Sequence, residues 1–360
     1  MGCWASNPVL DEAEKTSHFI DEEIKRSRKE INNTVKTLLL GPGESGKSTI
    51  VKQLRLVYSR PYGPDERLDF KEVVFTNTLQ SMQVVIEGFE LLKAGVPEEL
   101  ESCAQSLEGL QADDTICRRT GDFEPHVSQV IYRLWQHPAT KQIVAQSSRL
   151  QLNDSASYFF DSLPRISEPG YIPTDADILR CRVRSTGIVE EVFQLGRTRL
   201  VVCDVVGQRS ERRKWVSCFE NVQLLIFVAA LSEFDQVLYE DQDQPRFAES
   251  LLLWSSIVSS PWFSRTSLIL FLNKMDLLEK KIRTNPESVE HFLPDYLGPP
   301  DNLEGVKHYF AERFHRVYGD QERALYTHFT SATDTTAMRP IFRAVMDSVI
   351  TSSLAEGGFL

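Results

Sequence analysis

The sequence predicts an α/β fold: a mainly parallel sheet with flanking helices, interrupted by an inserted all-helical domain and preceded by an N-terminal helix. Three observations carry this expectation. Short β-rich runs alternate with helical ones from Ile188 onward, a first strand and helix stand apart from them at residues 35–60, and the stretch between is patterned for helix. At 360 residues the chain exceeds one ordinary domain. The expected divisions are an N-terminal helix over 1–34, a sheet domain built from 35–62 and 183–360, and a helical insertion with its linkers over 63–182.

The elements follow in order. From about Asn7 to Asn33 the chain is charged and free of glycine, with Leu10, Ala13, Ile20, Ile24 and Ile31 widely spaced, which reads as a long exposed helix. Its thin apolar stripe is either solvated or a docking surface. Val35 to Leu40 is a short apolar run ending at glycine, and Ile50, Val51, Leu54 and Val57 then recur at helical spacing. Pro61-Tyr62-Gly63-Pro64 breaks that helix, and Phe75, Leu79, Met82, Ile86 and Phe89 begin a mostly helical stretch that runs to about Leu179. Strands are expected at Ile188 to Leu195, Arg199 to Cys203, Leu224 to Val228, Leu268 to Leu272 and Leu325 to Phe329.

Composition narrows the function classes. With 51 acidic against 40 basic residues and a net charge of −11, the balance argues against a general nucleic-acid coat protein, and an anionic ligand needs a local positive site. The six cysteines lie far apart without a C-x-x-C pair, which argues against a zinc ribbon or a disulfide framework and for a reducing compartment. No apolar run approaches the ~18 residues of a membrane span, and the N-terminus lacks the form of a signal peptide. Met1-Gly2-Cys3-Trp4-Ala5-Ser6 does match M-G-x-x-x-[ST], so Gly2 is a candidate for myristoylation and Cys3 for palmitoylation, two chains together making a stable anchor. The alternative is a chance match to so short a pattern.

Gly41-Pro42-Gly43-Glu44-Ser45-Gly46-Lys47-Ser48 fits G-x-x-x-x-G-K-[ST] and sits between a strand and a helix, where the motif must sit. Loop N–H groups and the positive end of the helix can surround phosphate oxygens, Lys47 adds a full charge, and Ser48 offers a hydroxyl to Mg2+. Asn273-Lys274-Met275-Asp276 follows a later strand at its carboxyl end. The Asp276 carboxylate can accept both N–H donors on the guanine edge, Asn273 can tie loops together, and the Lys274 stem can cover the base. Thr330-Ser331-Ala332-Thr333 can add a backbone contact to that base.

Asp204 ends another strand and precedes Val205-Val206-Gly207-Gln208. Asp204 can hold Mg2+ through water, the Gly207 N–H can meet a terminal phosphate, and Gln208 can orient the attacking water. Upstream, Arg182 can stabilise charge on a transferred phosphoryl group, and Ser185 can complete Mg2+ coordination.

Taken together, these segments resemble the alpha subunits of heterotrimeric G proteins along nearly the whole chain. The matching stretches are Gly43 to Thr49, Leu152-Asn153-Asp154-Ser155, Asp177-Ile178-Leu179-Arg180, Gly207 to Arg212 with Lys214-Trp215, and Asn273 to Asp276, together with Gly2 and Cys3. The resemblance implies a Ras-like P-loop GTPase domain plus the all-helical insertion, with GDP or GTP clasped between them. It implies further that Asp154, Ser155, Leu179 and Arg180 reach the nucleotide, that Glu44 pairs with Arg182, and that Arg182 is an arginine finger supplied in cis. A beta-gamma dimer would dock on the N-terminal helix and the Gly207 to Trp215 region in the GDP state. A G protein-coupled receptor would engage the C-terminus, and an intracellular effector and a GTPase-accelerating regulator would complete the partners at the cytoplasmic face of the plasma membrane.

The chain departs from the family pattern at Val206 for glycine, Ser185 for threonine, Ser331 for cysteine and Gly357 where inhibitory members carry cysteine. Val206 would be strained if the backbone there needs a positive φ. Pro42 removes one loop donor and is expected to point away from phosphate. The competing readings are a P-loop ATPase or kinase, which has no use for N-K-x-D, and a binding module that holds nucleotide without turning it over.

Overall fold

A computed structural model describes residues 17–23, 33–183, 187–196, 198–238, 240–319 and 323–356, with side chains for all of these but 147 and 348–356. Of the expected N-terminal helix over 1–34, residues 17–23 are described and helical, whereas Asn33 lies in a turn and Thr34 already belongs to the first strand. Gly2, Cys3, Ser185 and Gly357 lie outside the described residues.

Among the described residues, six strands form one sheet in the order β2-β3-β1-β4-β5-β6. They are β1 (Thr34–Leu40), β2 (Ile188–Leu195), β3 (Thr198–Val205), β4 (Leu224–Ala230), β5 (Ser267–Asn273) and β6 (Leu325–Phe329). All pairings are parallel except the β2–β3 hairpin, in register from Ile188 opposite Val205 to Leu195 opposite Thr198. The central strands are apolar at nearly every position because helices cover both faces. Alternation along β1 divides the interior: Leu38 and Leu40 enter a core with Phe227, Trp254 and Phe314, while Val35 and Leu39 enter another with Ile50, Leu54, Phe271 and Phe342.

The principal helices are α1 (Lys47–Tyr58), α2 (Lys71–Leu91), α3 (Glu98–Leu107), α4 (Pro125–Gln136), α5 (Pro138–Ala145), α6 (Asp175–Arg180), α7 (Arg246–Val258), α8 (Met275–Thr284), α9 (Leu303–Tyr318) and α10 (Thr335–Glu356). The last contains Pro340, which has no N–H for the Thr336 carbonyl. Helices α2 to α5, with Tyr171 and Cys181 on either side of α6, share a third apolar core running from Val74 and Phe75 through Phe123, Ile131 and Phe160 to Cys181.

Asp177 of α6 anchors that helical region. Its fully buried carboxylate accepts two hydrogen bonds from Arg165 (2.8 and 2.7 Å), one each from the hydroxyls of Tyr158, Tyr171 and Thr174 (2.8 Å each), and one from Thr174 N–H (2.8 Å). Burial alone would raise its pKa, but the Arg165 guanidinium and the surrounding donors outweigh it and hold the carboxyl well below the usual range. A depressed carboxylate pKa stabilises the fold above the unfolded value of about 3.9, and that contribution is lost as pH falls through and below it. Asp177→Asn is therefore expected to cost about 3 kcal/mol at pH 7. The gap in urea midpoint between native and variant should narrow on acidification below about pH 4; an equal offset at both pH values would refute this account.

Candidate nucleotide site

The loop between β1 and α1 lies at the carboxyl end of the parallel strands, where open α/β sheets bind ligands. Gly46, at the N-cap of α1, has φ 101°, and a Cβ there would clash with Asn273 Nδ2, so only glycine allows the approach of the two loops. Asn273 uses that proximity: its Nδ2 donates to Ser45 O (2.9 Å), and its Oδ1 accepts from Thr330 Oγ1 (3.0 Å) and Ala332 N (3.1 Å). The expected loop-tying asparagine thus joins three segments of the chain.

Lys47 is buried and donates to the carbonyls of Gly41 (3.0 Å) and Pro42 (2.7 Å). Burial pushes its pKa down to about 8, partly opposed by Asp204. Ser48 Oγ donates to Asp204 Oδ2 at 2.6 Å, which brings two of the expected Mg2+ ligands together across 156 residues. Burial pushes the Asp204 carboxyl above its usual range. Among the described residues its Oδ1, like Ser45 Oγ, is buried without a hydrogen-bond partner. Buried oxygens left in this way are costly unless a ligand or water completes them.

Gly207 packs so closely on the loop that a Cβ would stand 2.5 Å from both Gly41 O and Lys47 Nζ. Gln208 lies alongside, its Cγ 3.6 Å from a Cβ built on Gly43. The following segment is fastened to α7, where Glu249 accepts from Arg209 (2.6 Å) and Arg212 (2.6 Å). Val206 is not among the non-glycine residues with positive φ, so the strain that would attend such a backbone does not arise. Its carbonyl accepts from Trp215 Nε1 at 2.8 Å.

Across the cleft, Arg182 pairs with Glu44 at 2.5 Å. Lys274, at φ 64°, reaches Asp154 at 2.5 Å and also pairs with Glu233. Burial opposes its charge, but Asp154 and Glu233 hold its pKa above the usual lysine range. The Glu44 carboxyl would be raised by burial, yet Arg246 and Arg182 hold it below its usual range. Asp276 is exposed, with its N–H donating to Ser331 Oγ (3.2 Å). Of the other expected residues, the Leu179 side chain is in the core while its carbonyl accepts from Thr49 (3.5 Å), Arg180 stacks on Tyr158 (4.4 Å), and Ser155 stands at the N-cap position of a short helix without a side-chain cap bond.

Motif reading missed Arg246, Glu233, Gln151 and Asn77. Arg246 Nη1 donates to Glu44 (2.8 Å) and lies 3.3 Å from Glu233, while its Nη2 donates to Gln151 (2.8 Å) in the segment between α5 and α6. No spacing rule could reveal a partner 202 residues away. Truncating Arg246 to alanine removes the direct bond to Gln151 and leaves Glu233 short of a cation. GDP release, followed with a fluorescent analogue, should accelerate roughly ten-fold or more, each ~1.4 kcal/mol being a factor of ten. An unchanged release rate would show that this contact does not hold the cleft.

A glycine loop capping a helix at the strand ends, with a buried lysine and a paired serine and aspartate beside it, defines the class of phosphate-loop nucleotide-binding proteins. A family model described as "G-protein alpha subunit" matches residues 14–349. The chain is 41% identical over 363 residues to the guanine nucleotide-binding protein alpha-1 subunit of Mycosarcoma maydis, covering 100% of each chain. It is similarly 41% identical to a guanine nucleotide-binding protein subunit alpha of Cochliobolus heterostrophus and 40% identical to one of Cryphonectria parasitica, again over 100% of each chain. The chain belongs to the G-protein alpha subunit family, and is accordingly a GTP-binding and GTP-hydrolysing signal transducer.

Proposed function

We infer that GDP or GTP binds with Mg2+ where the phosphate loop, the base loops and the helical insertion over 63–182 converge, and that GTP hydrolysis there resets a two-state switch. The observation that carries this reading is the convergence on one loop of motifs far apart in sequence, through Asn273 with Ser45 and Asp204 with Ser48. Loop amides and Lys47 bind the phosphates, Asp276 selects guanine, and Lys274 flanks the base. Arg182 stabilises charge on the transferred phosphoryl group and Gln208 orients the water that attacks it.

The residues fit Mg2+, a hard cation that takes oxygen ligands: Ser48 and Asp204 present oxygens, and among the described residues Asp204 Oδ1 has no protein partner. Ser185, outside the described residues, is the third proposed ligand. When bound, the ion neutralises charge on the phosphate oxygens. A terminal phosphate contacting Gly207 and Ser185 orders two loops, and its loss releases them.

In this reading a beta-gamma dimer docks on the N-terminal helix and the Gly207 to Trp215 segment, supported by exposed Phe19, Ile20 and Val216. A membrane receptor engages the C-terminus, and an effector and a GTPase-accelerating regulator read the GTP state. Acyl chains on Gly2 and Cys3 hold the protein at the cytoplasmic face of the plasma membrane. Among the described residues no helix is long and apolar enough to cross a membrane.

The test is retention and turnover by the purified chain in magnesium buffer. GDP should be retained, displaced by GTP and not by ADP, and loaded GTP should release phosphate in a single turnover. Displacement by ADP would point to an ATPase or kinase, and retention without phosphate release to a binding module.

A further inference from the structure

Arg182 stands on the linker that leads from α6 back to β2, and a long side chain on a linker is useful at a transition state only if its backbone is held. The residue before it is fixed from two sides: Cys181 N donates to Asp177 O (2.9 Å), and Cys181 O accepts from Lys52 Nζ (2.8 Å). Arg182 itself is held by Asn77, whose Oδ1 accepts from Arg182 N at 2.6 Å and whose Nδ2 donates to Arg182 O at 3.1 Å. One carboxamide thereby satisfies both polar groups of one residue, a two-point clamp that fixes the peptide in rotation as well as position.

Asn77 is otherwise hard to explain. It is only 8% exposed, in the second turn of α2, among Val74, Phe75, Thr78 and Leu79, which face the helical core. Asparagine is a poor helix former, and a buried amide costs stability unless both its polar atoms are used. Both are used here, on a residue 105 positions away.

We propose that Asn77 is a positioning residue for hydrolysis, holding the Arg182 backbone so that the guanidinium can leave Glu44 for the transferred phosphoryl group. The proposal rests on the assignment of Arg182 as the charge-stabilising group. It makes the longest helix of the insertion a part of the hydrolytic apparatus while leaving phosphate and base contacts untouched.

Three variants test it with preloaded GTP in single turnover, with GDP release and thermal midpoint measured alongside. Asn77→Ala should slow hydrolysis roughly ten-fold or more while GDP release changes less than about three-fold. Asn77→Asp keeps the acceptor for Arg182 N–H but sets a carboxylate against the carbonyl, so it should not restore the native rate. The double variant with Arg182→Ala should be no slower than Arg182→Ala alone, because Asn77 acts only through that arginine. Gln83→Ala is the control: Gln83 lies on the same helix and bonds to Leu107 O (2.9 Å) and Leu110 O (3.1 Å), so it should lower the thermal midpoint without slowing hydrolysis.

A native hydrolysis rate in Asn77→Ala, or multiplicative losses in the double variant, overturns the role of Asn77 while a slow Arg182→Ala leaves the arginine assignment standing. If Arg182→Ala itself hydrolyses at the native rate, the assignment fails and the role of Asn77 with it.

Discussion

Replacing Arg182 by alanine is expected to slow single-turnover GTP hydrolysis by roughly 10²–10³-fold, the general worth of a preorganised cation at a phosphoryl transition state, for which this family's in-cis arginine is itself a standard example. The direction follows from the geometry. Arg182 pairs with Glu44, so its guanidinium already lies beside the loop proposed to hold the phosphates. The pair is partly exposed, with side chains 44% and 36% accessible, so breaking it costs little and the cation can move onto developing charge. GDP retention should fall far less than turnover, since Arg246 still engages Glu44 at 2.8 Å. The measurement is phosphate release from preloaded GTP beside release of fluorescent GDP. Equal losses in both would mean that Arg182 only holds the cleft shut; no loss in turnover would remove it from the chemistry.

Replacing Asp276 by alanine should weaken GDP binding roughly 10²–10⁴-fold and erase the preference over ADP, because two charge-assisted hydrogen bonds to the guanine edge are each worth ~1.5–3 kcal/mol. The structure supports a specific effect. The Asp276 side chain is exposed at the start of α8, while its N–H is engaged by Ser331 and the neighbouring Asn273 carries the loop–loop bonds. Truncation therefore removes base recognition without unfastening the pocket. Competition of GDP and ADP against fluorescent GDP reads both quantities. Affinity for GDP within three-fold of native would show that the base is recognised elsewhere. Asn273→Ala is the instructive contrast, since it removes three bonds that join the phosphate loop to both base loops and should weaken every nucleotide, whatever its base.

Both predictions come from motifs that could be read along the chain, and the reason is local. A phosphate loop needs a strand, a glycine of positive φ and a helix start within a few residues, so Gly41 to Ser48 carries its geometry in its own sequence. Asn273 to Asp276 likewise sits directly on a strand end. Strand positions were legible because central parallel strands are apolar at nearly every residue, as in Leu224–Ala230 and Ser267–Asn273. The β3 run proved longer at both ends than its apolar pattern suggested, Thr198–Val205 against Arg199 to Cys203, because the antiparallel pairing with β2 carries it out to Thr198 and Val205.

By itself, then, the sequence determined the kind of fold, the family, and which two loops are proposed to meet phosphate and base. Those properties depend on backbone propensity and on residues a few positions apart. Tertiary structure alone decided which of these polar and charged groups meet: that Arg246 reaches Glu44, Glu233 and Gln151, that Lys274 is shared by Asp154 and Glu233, and that Asn77 grips the backbone of Arg182. Such pairings join side chains about a hundred or more residues apart in most cases. No periodicity records them, because they exist only once packing of the sheet and the helical core has brought their two sides together.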